Sequence, residues 1–283
     1  QSSLKLSHST LFPGDIEMHL PKLFRGLLAA TALVSLTAHA ALSEDKPLRI
    51  GVTAGPHAQI FEFVKKIAEK DGLKLQIVEF SDYVQPNAAL AAGDLDVNSY
   101  QHQPYLDNAN KDRGYKLVSI GQTIIFPIGL YSKKFKSLDQ IPNGARLALP
   151  NDPTNGGRVL LLLQAKGLIK LKPEAGLKAT PLDVTDNPKK LKFIELDAAQ
   201  LPRALDDADV AAVNTNFAIQ AGLLPSRDAI AMESLKSPYA NVIAVRAADK
   251  DSPVLKKLLK AYQNEEVKQF IKTEFKDSVF AAW

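Results

Sequence analysis
The sequence predicts an α/β fold with mostly parallel sheets, divided between two lobes. Three observations lead there. Strand-like and helix-like segments alternate from Pro47 onward. The alternation restarts after Tyr131. A chain of 283 residues, 46% of them hydrophobic, is long enough for two cores.

In the first series Leu48–Thr53 is a short apolar strand. Pro56 suits the first position of a helix, where its missing N–H would find no helical carbonyl. Ile60, Phe61, Val64, Ile67 and Ala68 then make one apolar stripe at helical spacing. Residues 73–80 alternate as a strand does, 86–92 form a short helix closed by Gly93, and 94–98 a strand. A helix over 104–113 ends at Gly114, and 117–131 is a long β-branched and aromatic stretch. In the second series 146–149 is a strand and 154–166 a helix stopped by Gly167. Lys192–Leu196 is a strand, 199–205 a helix, Val210–Val213 a strand and 215–221 a helix before Gly222. A strand over 241–246 and helices over 253–264 and Glu265–Phe275 close the chain. The two series echo one another at 93–98 and 207–214, where a turn leads into a buried strand that ends at Asn. Ligands in open α/β sheets bind beyond the carboxyl ends of strands, so two such ends facing each other would form a cleft. The alternative is chance similarity between two βα units.

Composition narrows the function classes. Thirty-five basic and 31 acidic residues give a net charge of +4 without a Lys/Arg block of the kind that tracks phosphates, so no nucleic-acid partner is expected. Zero cysteines exclude disulfides, thiolate chemistry and attachment of a lipid to an N-terminal cysteine. Met18 opens a secretory leader. His19, Lys22 and Arg25 are its basic start, 26–36 an apolar run too short to span a bilayer, and Ala38-His39-Ala40 a cleavage site that leaves Ala41 first. Residues 1–17 read as an upstream extension, and 18–40 as signal peptide. The expected location is the periplasm, soluble and without a lipid anchor. Of the five histidines only His57 and His102 lie beyond the leader, too few for a metal site without cysteine. No metal or cofactor is expected.

Catalytic signatures are missing: no G-x-S-x-G elbow, G-x-G-x-x-G, Walker loop or H-E-x-x-H. A secreted hydrolase would need His102 with Asp107 or Asp152, and no positioned nucleophile accompanies them, so the expectation is not an enzyme. Polar residues cluster instead at three strand ends. In 98–105, Tyr100, His102 and Tyr105 follow a buried strand and can wall an apolar, polarizable ligand, or serve as loop and helix-cap packing. In 151–158, a turn and helix start carries Asn155 and Arg158. A cation in the first turns of a helix is disfavoured by about 0.3–1 kcal/mol unless an anion lies nearby. A guanidinium fork suits a ligand carboxylate, and a protein Asp or Glu would serve equally. The third cluster is Asn214-Thr215-Asn216 with Tyr239-Ala240-Asn241, where asparagines can both donate and accept, or cap turns.

At 81–87 (SDYVQPN), 101–107 (QHQPYLD), 150–158 (PNDPTN through Arg158) and 237–241 (SPYAN), the chain resembles the NlpA/MetQ family of methionine-binding proteins that serve ABC importers. The resemblance spans about 48–283. It implies the two-lobed solute-binding protein fold, with strands crossing between lobes and a ligand cleft between the sheets. The expected lobes are 47–127 with 243–283, and 128–242. It implies that Arg158 holds an amino acid's carboxylate and that Asn214 and Asn241 fix its backbone, with Asn155 beside them. Tyr83, Tyr100, His102 and Tyr105, and less strongly Phe126, are implied for the side-chain pocket. The implied ligand is methionine, L or D, with another amino acid or small carboxylate as the alternative. The implied partners are the membrane subunits of an ABC importer, and the protein is expected to be a monomer.

Overall fold
The computed structural model describes residues 42–283. The upstream extension, the leader and its cleavage site lie outside the described residues. Along the chain the first series is β1 (Leu48–Thr53), α1 (Pro56–Lys70), β2 (Leu75–Phe80), α2 (Gln85–Ala92), β3 (Val97–Asn98), α3 (Gln103–Arg113) and β4 (Leu117–Gln122), then β5 (Ile124–Ile125) and β6 (Gly129–Tyr131). The second is β7 (Arg146–Pro150), α4 (Pro153–Ala165), β8 (Lys170–Leu171), β9 (Val184–Asp186), β10 (Lys192–Leu196), α5 (Leu201–Ala204), β11 (Val210–Val213), α6 (Thr215–Gln220), α7 (Pro225–Asp228) and β12 (Ala231–Met232). The chain closes with β13 (Val242–Arg246), α8 (Pro253–Tyr262), α9 (Glu265–Phe275) and β14 (Phe280–Ala281).

Two five-stranded sheets organise these elements, in the orders β2-β1-β3-β13-β4 and β10-β7-β11-β6-β12. In each, the first three strands are parallel and the fourth runs against both its neighbours. That fourth strand comes from the other half of the chain. After β4 the chain leaves the first sheet and inserts β6 into the second. After β12 it leaves the second sheet and inserts β13 into the first. The two sheets are therefore joined by two crossing segments, roughly 123–129 and 233–241. Fully buried strands such as β11, apolar throughout, and β13, apolar up to Arg246 at its end, fit central positions covered on both faces.

Each sheet has its own core. In the first, Ile50, Val52 and Ile243 pack against Phe61 and Val64 of α1 and Leu258 and Tyr262 of α8. In the second, Leu147 and Leu149 pack against Val159, Leu160 and Leu163 of α4. The stripe read on α1 is the buried face, with Ile67 only partly covered.

Several boundaries differ from the sequence reading for local reasons. Residues 94–96 are not strand, because Asp94 and Leu95 bond back to Ala89 in the turn that ends α2. The stretch 117–131 breaks into three strands, and Pro127, which has no N–H, sits in the gap. Residues 199–205 are a 3-10 turn followed by one turn of α-helix, with Pro202 at the helix start. The hairpin of β8 with β9 and the short β12 and β14 carry no period that a sequence reading can catch.

Gly157 shows how closely α4 is packed. A Cβ there would lie 2.2 Å from the Leu177 carbonyl oxygen and 2.9 Å from the Ala179 nitrogen, both backbone atoms that cannot swing away. Gly157→Ala should therefore destabilise by about 1–3 kcal/mol, despite the roughly 1 kcal/mol that alanine gains in a helix. A urea titration checks it, and an alanine variant as stable as wild type would show that the 176–179 segment yields.

Candidate functional site
The carboxyl ends of β2, β3, β7 and β11 all point at one place, and the loops that follow them build it. The β2–α2 loop brings Tyr83. The loop after β3 brings Tyr100, Gln101 and His102, and the first turn of α3 brings Tyr105. From the other sheet, α4 brings Asn155 and Arg158, and the start of α6 brings Asn214, Thr215 and Asn216. The crossing segments add Phe126 and Asn241. These twelve residues line a single cavity. The eight residues that the resemblance implied for the site and the weaker candidate Phe126 are among them, whereas Tyr239 is not.

Tyr83, Tyr100 and Tyr105 cluster in one region of the wall, and Phe126 lies edge-on to His57. Tyr100 and Tyr105 both donate their hydroxyls to the Tyr83 carbonyl, at 2.9 Å each. The Tyr83 hydroxyl crosses to the other sheet and donates to Asn216 Oδ1 at 2.6 Å. Burial pushes all three phenols up, so they stay protonated donors. The loop after β3 is held from behind by an amide cluster. Asn87 and Gln101 exchange hydrogen bonds at 2.8 and 2.7 Å, and Asn98 Nδ2 donates to Asn87 Oδ1 at 2.9 Å. Asn98, one end of the sequence echo, thus supports the cavity from behind, whereas its counterpart Asn214 lines it.

A second network joins the sheets through His102. Its Nδ1 accepts the Tyr105 N–H at 3.1 Å, capping α3, so the proton sits on Nε2 and is donated to Asn155 Oδ1 at 3.1 Å. Asn155 Oδ1 also accepts from Asn214 Nδ2 at 3.1 Å, while Asn155 Nδ2 donates to Asp152 at 3.0 Å. Asn214 Oδ1 and Asn216 Nδ2, one acceptor and one donor, are buried without a protein partner. Burial, reinforced by the positive Arg158, pushes His102 down to about 3, so it is a neutral fixed dipole and not a proton donor to substrate at neutral pH. Asp152 is pushed up by burial against the hydrogen bonds it receives from Asn155 and Thr154.

Arg158 is 3% exposed. Its Nε and Nη2 grip Glu233 at 2.9 and 2.6 Å, and Nη2 also donates to the Phe126 carbonyl at 2.6 Å. Tyr239 lies across its face, 4.4 Å from ring centre to guanidinium carbon. Among the described residues, Nη1 has no hydrogen-bond partner. The anion that offsets the cost of a cation near the start of α4 is thus a protein carboxylate. Sequence reasoning missed Glu233, a lone acidic residue in an irregular stretch, and also Gln101. Only the register of β12 with β6, which sets Met232 opposite Gly129, brings Glu233 beside Ile128 and under Arg158. Among the described residues no group of three or more His, Asp or Glu side chains is placed to hold a metal ion.

The wall of this cavity combines aromatic faces with polar groups, as small-molecule sites do, and comparison with known proteins points the same way. A family model described as NlpA lipoprotein matches residues 48–283. The chain belongs to the NlpA lipoprotein family. Among its NlpA relatives, the D-methionine-binding lipoprotein MetQ of Salmonella typhimurium is 48% identical over 267 residues, 92% of this chain and 98% of that protein. Outer membrane lipoprotein 3 of Mannheimia haemolytica is 46% identical, over 91% of this chain and 98% of that one. A nutrient-binding protein from Burkholderia cenocepacia, solved bound to methionine, is 61% identical with a TM-score of 0.82, covering 83% of this chain and all of that one. The two-lobed solute-binding fold with crossing strands is that of these NlpA relatives.

One expectation is overturned. The sequence reading gave a protein free of any lipid anchor, on the absence of cysteine. The family model and both of the named sequence relatives are lipoproteins by name, so an anchor is what membership leads one to expect. The cysteine count speaks for these 283 residues alone, and an anchor depends on one residue at a leader boundary, outside the packing that defines the fold.

Proposed function
We propose that this chain is the solute-binding component of an ABC importer and that it encloses a free amino acid, methionine in its L or D form, between its two sheets. The observation that carries the proposal is one cavity whose wall combines aromatic faces with polar groups. Tyr83, Tyr100, Tyr105 and Phe126 offer polarizable faces to a thioether. Arg158 Nη1 offers a charged donor to a carboxylate, and Asn214 and Asn241 offer amides to the α-amino group. His102 and Asn155 fix that amide wall. The reading takes 47–127 with 243–283 as one lobe and 128–242 as the other, closing about the crossing segments. Tyr83–Asn216 and His102–Asn155 then latch the closed form. Export under the leader read at 18–40, delivery to importer membrane subunits, action as a monomer and the absence of catalysis belong to the same proposal.

Ligand that binds only the folded, closed protein stabilises it by RT ln(1 + [L]/Kd), about 4 kcal/mol at a thousandfold excess over Kd. For a protein of this size that is on the order of 10 °C in melting temperature. L-Methionine, and D-methionine if both are taken, should produce such a shift in ligand-stripped protein, while sugars, phosphate and zinc produce none. A shift with zinc or a sugar and none with any amino acid would sink the proposal.

A further inference from the structure
We infer that Glu233 is a specificity-determining positioning residue, one that makes the cavity select amino acids of zero net charge over otherwise matching anions. The inference rests on the reading of the cavity as an amino-acid site. Glu233 is outside the lining of the cavity and stands behind Arg158. Its two oxygens take Nε and Nη2 of the guanidinium at 2.9 and 2.6 Å, and the Phe126 carbonyl takes a further bond from Nη2. The pair is buried, with side-chain exposures of 3% and 10%. Tyr239 covers the guanidinium face. Arg158 is therefore held from both crossing segments, and among the described residues Nη1 alone is left to meet a ligand.

This arrangement has an electrostatic consequence. Among the described residues Arg158 is the one cationic side chain in the cavity wall, and Glu233 cancels its charge within hydrogen-bonding distance. The other acidic group nearby, Asp152, is tied to Asn155 and Thr154 at the start of α4. A ligand carboxylate thus meets a directed donor without an uncompensated positive charge. A zwitterion brings its own cation and is content with such a site. An anion of the same shape, lacking the ammonium, adds a negative charge beside a cation that Glu233 already balances.

The test compares L-methionine with its 2-hydroxy analogue, which keeps the skeleton and carboxylate, replaces the ammonium by a hydroxyl and carries a net negative charge. Isothermal titration of ligand-stripped protein gives the ratio of the two dissociation constants within each variant, so a uniform loss of affinity cancels. Glu233→Gln keeps the shape and removes the charge. It should shift the ratio toward the hydroxy acid by ~10-fold or more, the scale of one charge a few ångströms away at an effective dielectric of ~20. Glu233→Asp, which keeps the charge, should hold the wild-type ratio within ~3-fold. If Glu233→Gln is too unstable to purify, Glu233→Ser makes the same prediction, because neutrality is what matters. A ratio in the neutral variants within ~3-fold of wild type overturns the inference and leaves Glu233 a structural partner of Arg158. Wild-type protein that binds neither compound overturns the amino-acid reading itself, and this inference with it.

Discussion
Arg158→Ala is expected to lose both stability and ligand. Removing one partner of a buried ion pair leaves the other charge without compensation, here Glu233, whose side chain is 10% exposed. The expected loss in folding free energy is about 3–5 kcal/mol. Affinity for methionine should fall as well, by about 2–5 kcal/mol, or roughly 30- to 4,000-fold, since a buried carboxylate loses its only charged donor. The two losses have different origins and can be separated. Replacing both partners by apolar residues, as in Arg158→Met with Glu233→Leu, removes the orphaned charge and should recover most of the stability. It should recover none of the binding. Arg158→Lys keeps the charge without the fork and should bind weakly. Asn241→Ala removes a neutral partner and should fall near the lower end of the range. Urea unfolding and isothermal titration of the same stripped variants give both numbers. Arg158→Ala and Asn241→Ala binding within about threefold of wild type, ~0.6 kcal/mol, would place the ligand elsewhere.

Stability is expected to fall steeply between pH 6.5 and 5. His57 and His102 are both buried, and burial pushes each down to about 3, with the positive Arg158 adding to the effect on His102. In the unfolded chain a histidine titrates near ~6.5. As pH drops below that value the unfolded chain takes up protons that the folded one refuses. The stabilisation is whole above ~6.5 and is lost on the way to about 3. Each histidine contributes a slope of about 1.4 kcal/mol per pH unit, so the pair costs about 4 kcal/mol by pH 5. At lower pH, Asp209 acts in the same direction, held low by the Arg146 backbone N–H and by Lys134. Asp152, pushed up by burial, acts against it. Urea unfolding at pH 7 and pH 5 measures the loss. His57 sits edge-on to Phe126 with its Nδ1 unpartnered, so His57→Phe is tolerable there and should remove about half of the slope. Stability that is flat across this range would show that water reaches both imidazoles.

Much of this molecule could be read along the chain. Leu48–Thr53, Lys192–Leu196, Val210–Val213 and Glu265–Phe275 are where the apolar patterns put them, because a strand or helix declares its buried face locally. The cavity residues were legible for a related reason. Polar and aromatic side chains crowd directly after buried strands, where a parallel α/β sheet opens, and the family resemblance at 101–107 and 150–158 narrowed them further. The turn that shortens β3 and the Pro127 break in 117–131 were less legible, because backbone hydrogen bonding within a turn leaves little trace in hydrophobic pattern.

What the sequence by itself determined is thus the alternation of elements, the two cores and most of the side chains that face the cavity. The tertiary structure alone decided which sheet β6 and β13 join, and that both run against their neighbours. It alone set Glu233 on Arg158, 75 residues away, and brought residues 177–179 against the bare backbone of Gly157. The physical reason is common to all three. Local periodicity records which face of an element avoids water, whereas these contacts depend on which elements meet once the chain has crossed between sheets. A single glutamate or glycine carries no mark of its distant partner until that crossing is made.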